Sequence, residues 1–383
     1  MAGKNRAKNS VFIDKTGETL ATASAIQTVN DALTSLADYT TQQIALIKGK
    51  IGIGPAPFIK SWEEVQAIVR SGLAEEYFEI GDQFLSIDDG KVTVWTIIGI
   101  DHDTPTDTEY SHSLTIQTRD CLMNCQWDAS EALYYAATAL APSKHIFEID
   151  SGKYEFTTTL EVPEGGQVCV YSFDDDYIPS KARTYAADIV TVIEDDITVS
   201  TSTDSPTLSP VNHQARCRYG SNNYWESNIR DWLNSEADQY IWTPKTNFDR
   251  PSTGAPYTGP GFLKLLDPEL AAVIGKVNKQ VARNTLTDGG GQDLFSDKVF
   301  LLSRVEAGLG TEGTTDGEEV YSYYDGIENA GRIKLLNGSP RSWWLRSPDV
   351  SHVFRARLLS TSGVASSTSV FIAHGLAPAC CII

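Results

Sequence analysis

The sequence lacks the features that identify several common classes of protein. It has no stripe of basic residues, and its 31 Lys and Arg are outnumbered by 50 Asp and Glu, which gives a net charge of −19 at pH 7. Such an acidic balance argues against a protein that grips the phosphates of nucleic acids. No apolar run approaches the roughly 18 residues that a membrane-spanning helix needs. We therefore expect neither nucleic-acid binding nor membrane insertion.

Signatures of catalysis and of metal centres are also missing. The chain contains no GxSxG, HExxH or P-loop motif, and its six cysteines show no CxxC spacing. Cys121 and Cys125 lie four residues apart and could ligate a metal from one helix face, but buried free thiols are the commoner arrangement. We therefore expect no enzyme activity, no catalytic residues and no cofactor.

What the sequence does contain is typical of a folded protein with a helical N-terminal segment. Its 8 Trp and 16 Tyr supply large side chains for a core. Residues 1–16 form a basic arm with no apolar stretch that would make a secretory signal, so we expect synthesis in the bacterial cytoplasm. Residues 17–48 carry apolar side chains at alternating three- and four-residue steps, as in a coiled coil. Since so short a seam is marginal alone, we expect a homotrimer; the alternative is a helix packed on its own domain.

A linker rich in Gly and Pro, residues 49–57, precedes the large domain that we predict over residues 58–383. A capping-box pattern predicts a helix over residues 61–71. Asp88-Asp89-Gly90 is typical of a tight hairpin turn between two strands. The pattern of residues 131–205 indicates a β-rich insertion that starts with a helix at Glu131–Leu140.

Two further elements are predicted in the second half of the chain. Apolar side chains at helical spacing predict a helix over Asn222–Ser235, with Trp225 and Trp232 on one buried face. The residues Phe354–Leu359 are expected to form a strand of a hairpin that turns near Gly363. Loops are expected to dominate elsewhere, because the chain holds 29 Gly and 16 Pro.

The densest polar cluster of the sequence is a weak candidate for a metal site. Asp101, His102 and Asp103 follow a predicted strand, and His112 lies a short distance downstream. Carboxylates and imidazoles are ligands that a divalent metal accepts. The favoured interpretation is a structural loop held by hydrogen bonds, because Asp commonly caps and turns the backbone.

The stretch from Asp349 to His374 has an unusual composition. Lys, Glu, Gln, Met and Trp are absent from it. These five are the residues that an Asn codon cannot reach when only its two adenines are replaced, so their joint absence suggests rewritten Asn codons. Phe354, Phe371 and Ile372 stand among Ser and Thr and are expected to be exposed, as in a contact surface. The alternative is that they are inward-facing strand residues.

Four motifs together carry a resemblance to a known family. They are Tyr224–Ser235, Val299–Ser303, Ser342–Pro348 and Gly375–Cys380. Over roughly residues 77–130 and 210–383, the chain resembles phage tail and receptor-binding proteins with a C-type-lectin fold of the formylglycine-generating-enzyme type. It looks most like the variable proteins of diversity-generating retroelements, whose relatives include the phage major tropism determinant. One departure is Ala377, where relatives often have Arg.

The resemblance implies an α+β fold, namely a C-type-lectin fold with a β-rich insertion and an N-terminal helical oligomerisation segment. It also implies a variable region at about residues 349–374 on a fixed scaffold. The variable, ligand-binding side chains would be Ser351, His352, Phe354, Arg355, Leu359, Ser366, Ser367, Thr368, Ser369, Phe371, Ile372 and His374. The scaffold would comprise Trp225, Trp232, Trp343, Trp344, Arg346, Gly363, Gly375 and Pro378.

The function implied is that of a phage receptor-binding protein, carried on the virion tail, that binds a bacterial surface protein or glycan. Its N-terminus would contact other phage tail proteins. Two other functions stay open: a metal-dependent enzyme acting on surface glycan through Asp101, His102, Asp103 and His112, and a structural tail or baseplate protein. From Val350 to Ile383 there is no acidic residue, so the expected binding face is neutral to basic on an acidic protein.

Overall fold

The computed structural model describes residues 61–383, except 211–212 and 312–317. The chain divides into two units, Met1–Lys60 and Ser61–Ile383, and the described residues all belong to the second unit. The predicted arm, coiled-coil helix and linker lie outside the described residues. In the part that is described, no helix is long and apolar enough to cross a membrane.

Helices are few and short in the described residues. The α-helices are α1 Trp62–Arg70, α2 Ala74–Tyr77, α3 Gln214–Tyr219, α4 Asn228–Leu233, α5 Phe262–Leu265 and α6 Pro268–Val273. Two 3₁₀ turns are η1 Tyr224–Glu226 and η2 Asn329–Arg332.

Strands make up most of the regular structure. In the first half of the chain they are β1 Gln83–Asp88, β2 Lys91–Ile100, β3 Leu114–Thr118, β4 Asn124–Cys125, β5 Tyr134–Tyr135, β6 Lys144–Ile149, β7 Gly152–Thr157, β8 Gln167–Phe173, β9 Pro179–Tyr185, β10 Val192–Thr198 and β11 Ser200–Thr201. In the second half they are β12 Ile274–Gly275, β13 Val277–Ala282, β14 Gln292–Asp297, β15 Val299–Phe300, β16 Lys334–Leu336, β17 Ser339–Arg341, β18 Trp343–Pro348, β19 Arg355–Leu359, β20 Ala365–Ser369, β21 His374–Gly375 and β22 Ala379–Ile382.

The main core lies between two sheets. The first has the order β1-β2-β3-β22-β12, with β15 also paired to β22, and the second has the order β20-β19-β18-β21-β4. Every residue of β18 is buried, as expected for the central strand of a covered sheet. Phe300, Trp343 and Leu345 are fully buried in this core.

The segment between β4 and α3 builds two smaller sheets. Their orders are β10-β9-β8-β5 and β11-β7-β6, and they enclose a core of their own around Phe147, Phe156 and Val168. All neighbouring strands within these sheets are antiparallel. This part of the fold is therefore made of short, local strand pairs.

Two local predictions are confirmed. Helix α1 starts after Ser61, whose hydroxyl accepts a hydrogen bond from the Glu64 amide, as a capping residue does. Strands β1 and β2 pair through a turn at Asp89 and Gly90, which both have positive φ, at 48° and 71°. Gly tolerates this conformation and Asp accepts it more readily than most residues, which explains why this tripeptide turns.

The expected fold class is wrong. We expected an α+β protein with the C-type-lectin architecture, but the described residues are mostly β, with 34% in strands and 13% in helices. The longest helix among the described residues, α1, has only nine residues. In the described residues, the apolar side chains lie on many short, paired strands and not along long helices.

Two predicted helices are also wrong. Residues 131–140 contain strand β5 and irregular backbone. Their backbone amides bond to β8 and its neighbours instead of forming helical hydrogen bonds; the Leu133 amide, for example, donates to the Val168 carbonyl. The predicted helix over Asn222–Ser235 is broken at Ser227, which ends η1 and caps α4. This break separates the two tryptophans: Trp232 is fully buried, whereas Trp225 is 42% exposed.

A chain of buried charges connects these sheets. Glu306, in the loop after β15, accepts from Lys279 of β13 at 2.7 Å and from Arg346 of β18 at 2.5 Å. Lys279 also bonds Asp103, which follows β2. Burial opposes the charge on Glu306, but Arg346 and Lys279 outweigh it and hold the pKa of this carboxyl below its ordinary value. All of these groups are therefore charged, and each depends on its partners.

We expect the substitution Glu306→Gln to destabilise the protein by about 3–5 kcal/mol, because it leaves buried Lys279 and Arg346 without their shared carboxylate. Urea unfolding measures the change. The control is Asp204→Asn, which removes the exposed ion pair between Lys144 and Asp204 at 2.7 Å. Because that pair is exposed to solvent, its loss is expected to change stability far less than the loss of Glu306 does. Equal losses in the two variants would contradict the role given to Glu306.

Candidate functional site

Most of the predicted variable side chains are accessible. Ten of the twelve are exposed or half-buried, and they lie in the loop before β19, in the hairpin β19–β20, in the loop that leads to β21 and at the start of β21. The exceptions are Phe354, 7% exposed, and Leu359, fully buried. Leu359 packs in the main core near Trp343. The expectation that Phe354 is exposed is therefore wrong, whereas Ile372 is exposed as expected, at 40%.

An aromatic cluster forms around Tyr219, the last residue of α3. Its ring stacks on Phe354 with centroids 4.7 Å apart and lies 5.6 Å from Phe371. His352 packs edge-on against Phe354 at 6.0 Å, and the Arg355 guanidinium lies over the same ring at 5.5 Å. We call these five residues the Tyr219 cluster. It brings two predicted variable side chains, Phe354 and Phe371, onto one tyrosine that lies outside the predicted variable region, and two more onto Phe354.

A second cluster is built on the carboxylate of Asp349. It accepts hydrogen bonds from the hydroxyls of Ser351 at 2.7 Å and Ser367 at 3.0 Å. His352 lies 3.1 Å from it and Arg357 lies 3.4 Å from it. We call these five residues the Asp349 cluster. It ties the loop before β19 to strand β20 across the hairpin.

The Asp349 carboxylate is charged although it is almost fully buried. Burial opposes its ionisation, but hydrogen bonds from Ser351 and His352, together with Arg357 and Ser367, hold its pKa below the ordinary value. A charged acceptor forms stronger hydrogen bonds than a neutral one. Asp349 is the first residue of the predicted variable region, and it fixes the side chains that come after it.

The loop before β19 is held from beneath by Asn222. Its side-chain amide donates to three backbone carbonyls, those of Asp349 at 3.2 Å, His352 at 2.8 Å and Arg355 at 2.8 Å. Its side-chain oxygen accepts from Asn284 at 2.8 Å. Asn222 is completely buried. Sequence reasoning missed Asn222, since its three acceptors are backbone atoms more than a hundred residues away and leave no local pattern.

Most of the predicted scaffold residues are buried and have polar partners. The indole nitrogens donate to backbone carbonyls: Trp343 to Arg332, Trp344 to Cys125, each at 3.0 Å, and Trp232 to Pro260 at 2.9 Å. These bonds satisfy the one polar atom of each buried ring. Trp225 differs, because its ring is partly exposed. The Arg230 guanidinium lies over one face of this ring, 4.2 Å from its centre.

The remaining scaffold residues occupy tight positions near the C-terminus. Gly363 turns the β19–β20 hairpin with φ 74°, and a side chain there would collide with the Asn329 carbonyl. At Gly375, a Cβ would lie 2.6 Å from the Cys121 sulfur. Pro378 is buried beside β3, and its carbonyl accepts from the Thr118 amide at 3.1 Å. Ala377 is fully buried in the main core.

His374 is the last of the predicted variable residues. Its ring packs edge-on against Trp344 at 5.0 Å. Burial, together with nearby Arg341, lowers the pKa of His374 to about 4. The side chain is therefore neutral at neutral pH and would meet a ligand as an uncharged ring.

The structure does not bring the four weak metal candidates together. Asp101 and His112 pair with each other at 2.9 Å on the surface, and His102 stacks on Tyr321 at 4.0 Å. Asp103 points into the interior, where Lys279 bonds it. His102, Asp103 and Glu306 do place ligand atoms within 4.8 Å of one another, but the Lys279 ammonium bonds both carboxylates. The arrangement is a structural loop with a buried ion pair.

The two cysteines considered as metal ligands are buried free thiols, and no helix joins them. Cys121 lies in a loop and Cys125 in β4. Burial raises the pKa of Cys121 to about 11 and that of Cys125 even further. Both thiols are therefore protonated at neutral pH, which makes them poor nucleophiles.

A buried acidic cluster beneath the site was not predicted. Glu131, Glu226 and Asp249 place carboxylate oxygens within 4.8 Å of one another, the spacing that a calcium ion with ligands at about 2.4 Å would permit. The positive charge in the cluster comes from Arg216, which donates to Glu131 at 2.6 Å and to Glu226 at 2.7 Å. Asp249 accepts from the Lys245 and Thr246 amides. Each of the three carboxylates has at least one donor, and of their buried oxygens only Glu131 Oε2 lacks one among the described residues, so the cluster is explained as a hydrogen-bonded network around Arg216.

Comparison with known proteins places the chain in a family without assigning it an activity. A family model described as a domain of unknown function, DUF6273, matches residues 190–383, which is just over half of the chain. The chain belongs to this family. No curated protein and no solved structure matches the chain.

The acidic cluster predicts a pH dependence of stability. Burial raises the pKa of Glu131 to about 8 and that of Glu226 to about 7, although Arg216 acts against the rise. A glutamate in the unfolded chain titrates near pH 4.3, so between about pH 5 and about pH 8 the folded state binds more protons than the unfolded state. The contribution of these two groups to stability is therefore present at the acid end and is lost as the pH rises.

We expect the melting temperature of Glu131→Gln to fall less steeply with pH across this window than that of the wild type, because one titrating group has been removed. Thermal unfolding in the presence of a chelator measures the two slopes. Glu75→Gln, at an exposed position of α2, is the control and should keep the wild-type slope. Parallel slopes for Glu131→Gln and the wild type would show that Glu131 ionises normally.

Proposed function

We propose that this member of the DUF6273 family is a receptor-binding display protein, whose C-terminal variable side chains bind a component of the bacterial surface. One observation carries the proposal. The region that lacks five residue types supplies accessible side chains from one hairpin and its flanking loops, and buried hydrogen bonds hold their backbone. This combination suits recognition by exchangeable side chains on a constant frame.

The contacts beneath the variable side chains support this division. Asn222 bonds the backbone of the loop before β19, and not its side chains, so a substitution at His352 or Arg355 leaves these bonds in place. Asp349 and Tyr219 lie at the edges of the variable region and contact several of its members. A rigid frame reduces the entropy that binding costs, which raises the affinity that small side chains can reach.

The charge distribution also supports binding to a surface that is itself acidic. The whole chain has a net charge of −19, yet no acidic residue follows Asp349, and Arg355 and Arg357 lie in β19. Bacterial envelopes carry many anionic groups, so an acidic body with a locally basic face orients the protein during encounter.

The proposed setting is the tail of a phage virion. Trimerisation through residues 17–48 would multiply a weak affinity at each site, and the N-terminal arm would contact other tail proteins. These parts lie outside the described residues, so the proposal for them depends on the sequence alone.

Sequencing the gene from several isolates tests the diversification. We expect differences concentrated at accessible positions such as Ser351, His352 and Phe371, with constant Asn222 and Arg346. A template copy of the same region with Asn codons, beside a reverse-transcriptase gene, is expected nearby. Differences spread evenly over the chain would contradict the proposal and favour a structural tail protein.

Adsorption measurements test the binding face directly. We expect Phe371→Ala to reduce adsorption to host cells by about thirtyfold, because an aromatic side chain at the centre of an interface commonly contributes about 2 kcal/mol or more. The matched control is Leu294→Ala, at a position that is 76% exposed on the β13–β14 hairpin. It should leave adsorption unchanged. Virions that adsorb equally well with either variant, or with antibody bound to residues 349–374, would refute the assignment.

A further inference from the structure

A cavity of about 380 Å³ lies where β8, β9 and α3 meet the predicted variable region. Its lining includes Tyr171, Phe173, Arg183, Arg218, Arg250 and Phe371. Five of these come from the middle of the chain, and only Phe371 belongs to the variable region. The volume is within the range of pockets that hold small ligands or a single sugar ring.

The three arginines of this cavity have different partners. Arg183 forms a bidentate pair with Asp195, at 2.7 and 2.8 Å, and is therefore neutralised. Arg218 donates to the Asp174 carbonyl at 2.7 Å, and Arg250 donates to the Cys169 sulfur at 3.0 Å. Within the described ranges, neither Arg218 nor Arg250 forms an ion pair with a carboxylate, in a protein where acidic residues outnumber basic ones by 19.

Arg218 and Arg250 are also held in position by aromatic rings. The Arg250 guanidinium lies 3.8 Å from the centre of the Tyr185 ring, and that of Arg218 lies 4.6 Å from the centre of Tyr219. The Nε of Arg250 is buried and has no hydrogen-bond partner among the described residues. A buried donor that is left unpaired costs free energy, and an acceptor from a ligand would relieve this cost.

We propose that this cavity binds an oxyanion of a bacterial surface glycan, either the carboxylate of an acidic sugar or a phosphate group, between Arg218 and Arg250. The planar guanidinium groups offer paired donors that match both oxyanions. The volume of the cavity favours a single sugar unit over the broad surface of a folded protein. The inference rests on the proposed display function for its biological source, and it adds a constant subsite to the variable one.

The position of Phe371 links the two subsites. Its ring lines the cavity and also lies 5.6 Å from Tyr219 in the Tyr219 cluster. The constant arginines would hold the anionic group common to many surface glycans, while exchangeable side chains at its edge would select the neighbouring units. Variants of the protein would then share an anion requirement and differ in fine specificity.

Calorimetric titration of the full chain with three small probes tests the site. Glucuronate presents a carboxylate, glycerol phosphate presents a phosphate, and glucose is neutral. We expect at least one anionic probe to bind more than about tenfold tighter than glucose, and we expect this advantage to disappear in Arg218→Gln and in Arg250→Gln. Tighter binding of glucuronate would identify an acidic sugar as the source of the anion, and tighter binding of glycerol phosphate would identify a phosphate group. Arg283→Gln, outside the cavity lining, is the control and should bind as the wild type does.

Failure of this inference is distinguishable from failure of the proposed function. If no anionic probe binds, or if Arg283→Gln loses binding as fully as Arg218→Gln, the oxyanion site is refuted, while the adsorption of Phe371→Ala virions still tests the display function. If the anion binds but an excess of an acidic peptide displaces it with equal affinity, the ligand is not a glycan. The circular dichroism spectrum of each variant shows whether it is folded. The variant Arg218→Lys keeps the positive charge and should therefore retain part of the binding when it is titrated with glycerol phosphate.

Discussion

The carboxylate of Glu306 is the contact on which the arrangement of the sheets depends. It lies between an ammonium from β13 and a guanidinium from β18, and the ammonium continues to Asp103 at the end of β2. Charges so deeply buried are stable only while every partner is present, because an unpaired charge in the interior costs several kcal/mol. The network therefore permits one relative position of these strands. The β19–β20 hairpin is paired to β18, so its position is fixed as well.

The same principle operates closer to the surface. Asn222 holds three carbonyls of one loop, and Asp349 holds the side chains that return from the other side of the hairpin. Both residues are buried and satisfied by several hydrogen bonds. The bonds of Asn222 go to backbone atoms and do not rely on the identity of the exposed side chains, whereas those of Asp349 come from the side chains of Ser351 and Ser367.

Helix α3 and strand β8, from the middle of the chain, meet the loops around Phe354 and Phe371 near the C-terminus. Helix α3 directs Arg216 into the acidic cluster and Arg218 towards the cavity, while Tyr219 contacts the rings of Phe354 and Phe371 from the predicted variable region. Tyr171 and Phe173, both from strand β8, form another wall of the cavity. A short helix is thus in contact with the interior, the cavity and the predicted variable residues at once.

The sequence by itself determined the features that depend on local contacts. The cap at Ser61 and the turns at Asp89-Gly90 and Gly363 follow from hydrogen bonds and φ angles within a few residues. The unusual composition of residues 349–374 is likewise visible without a structure. Only the tertiary structure decided which class of fold these pieces build, that Trp225 is exposed, that Leu359 is buried, and that Asn222 and Arg218 belong to the site. The physical reason is that burial and long-range hydrogen bonds depend on which strands become neighbours, and no spacing along the chain records that choice.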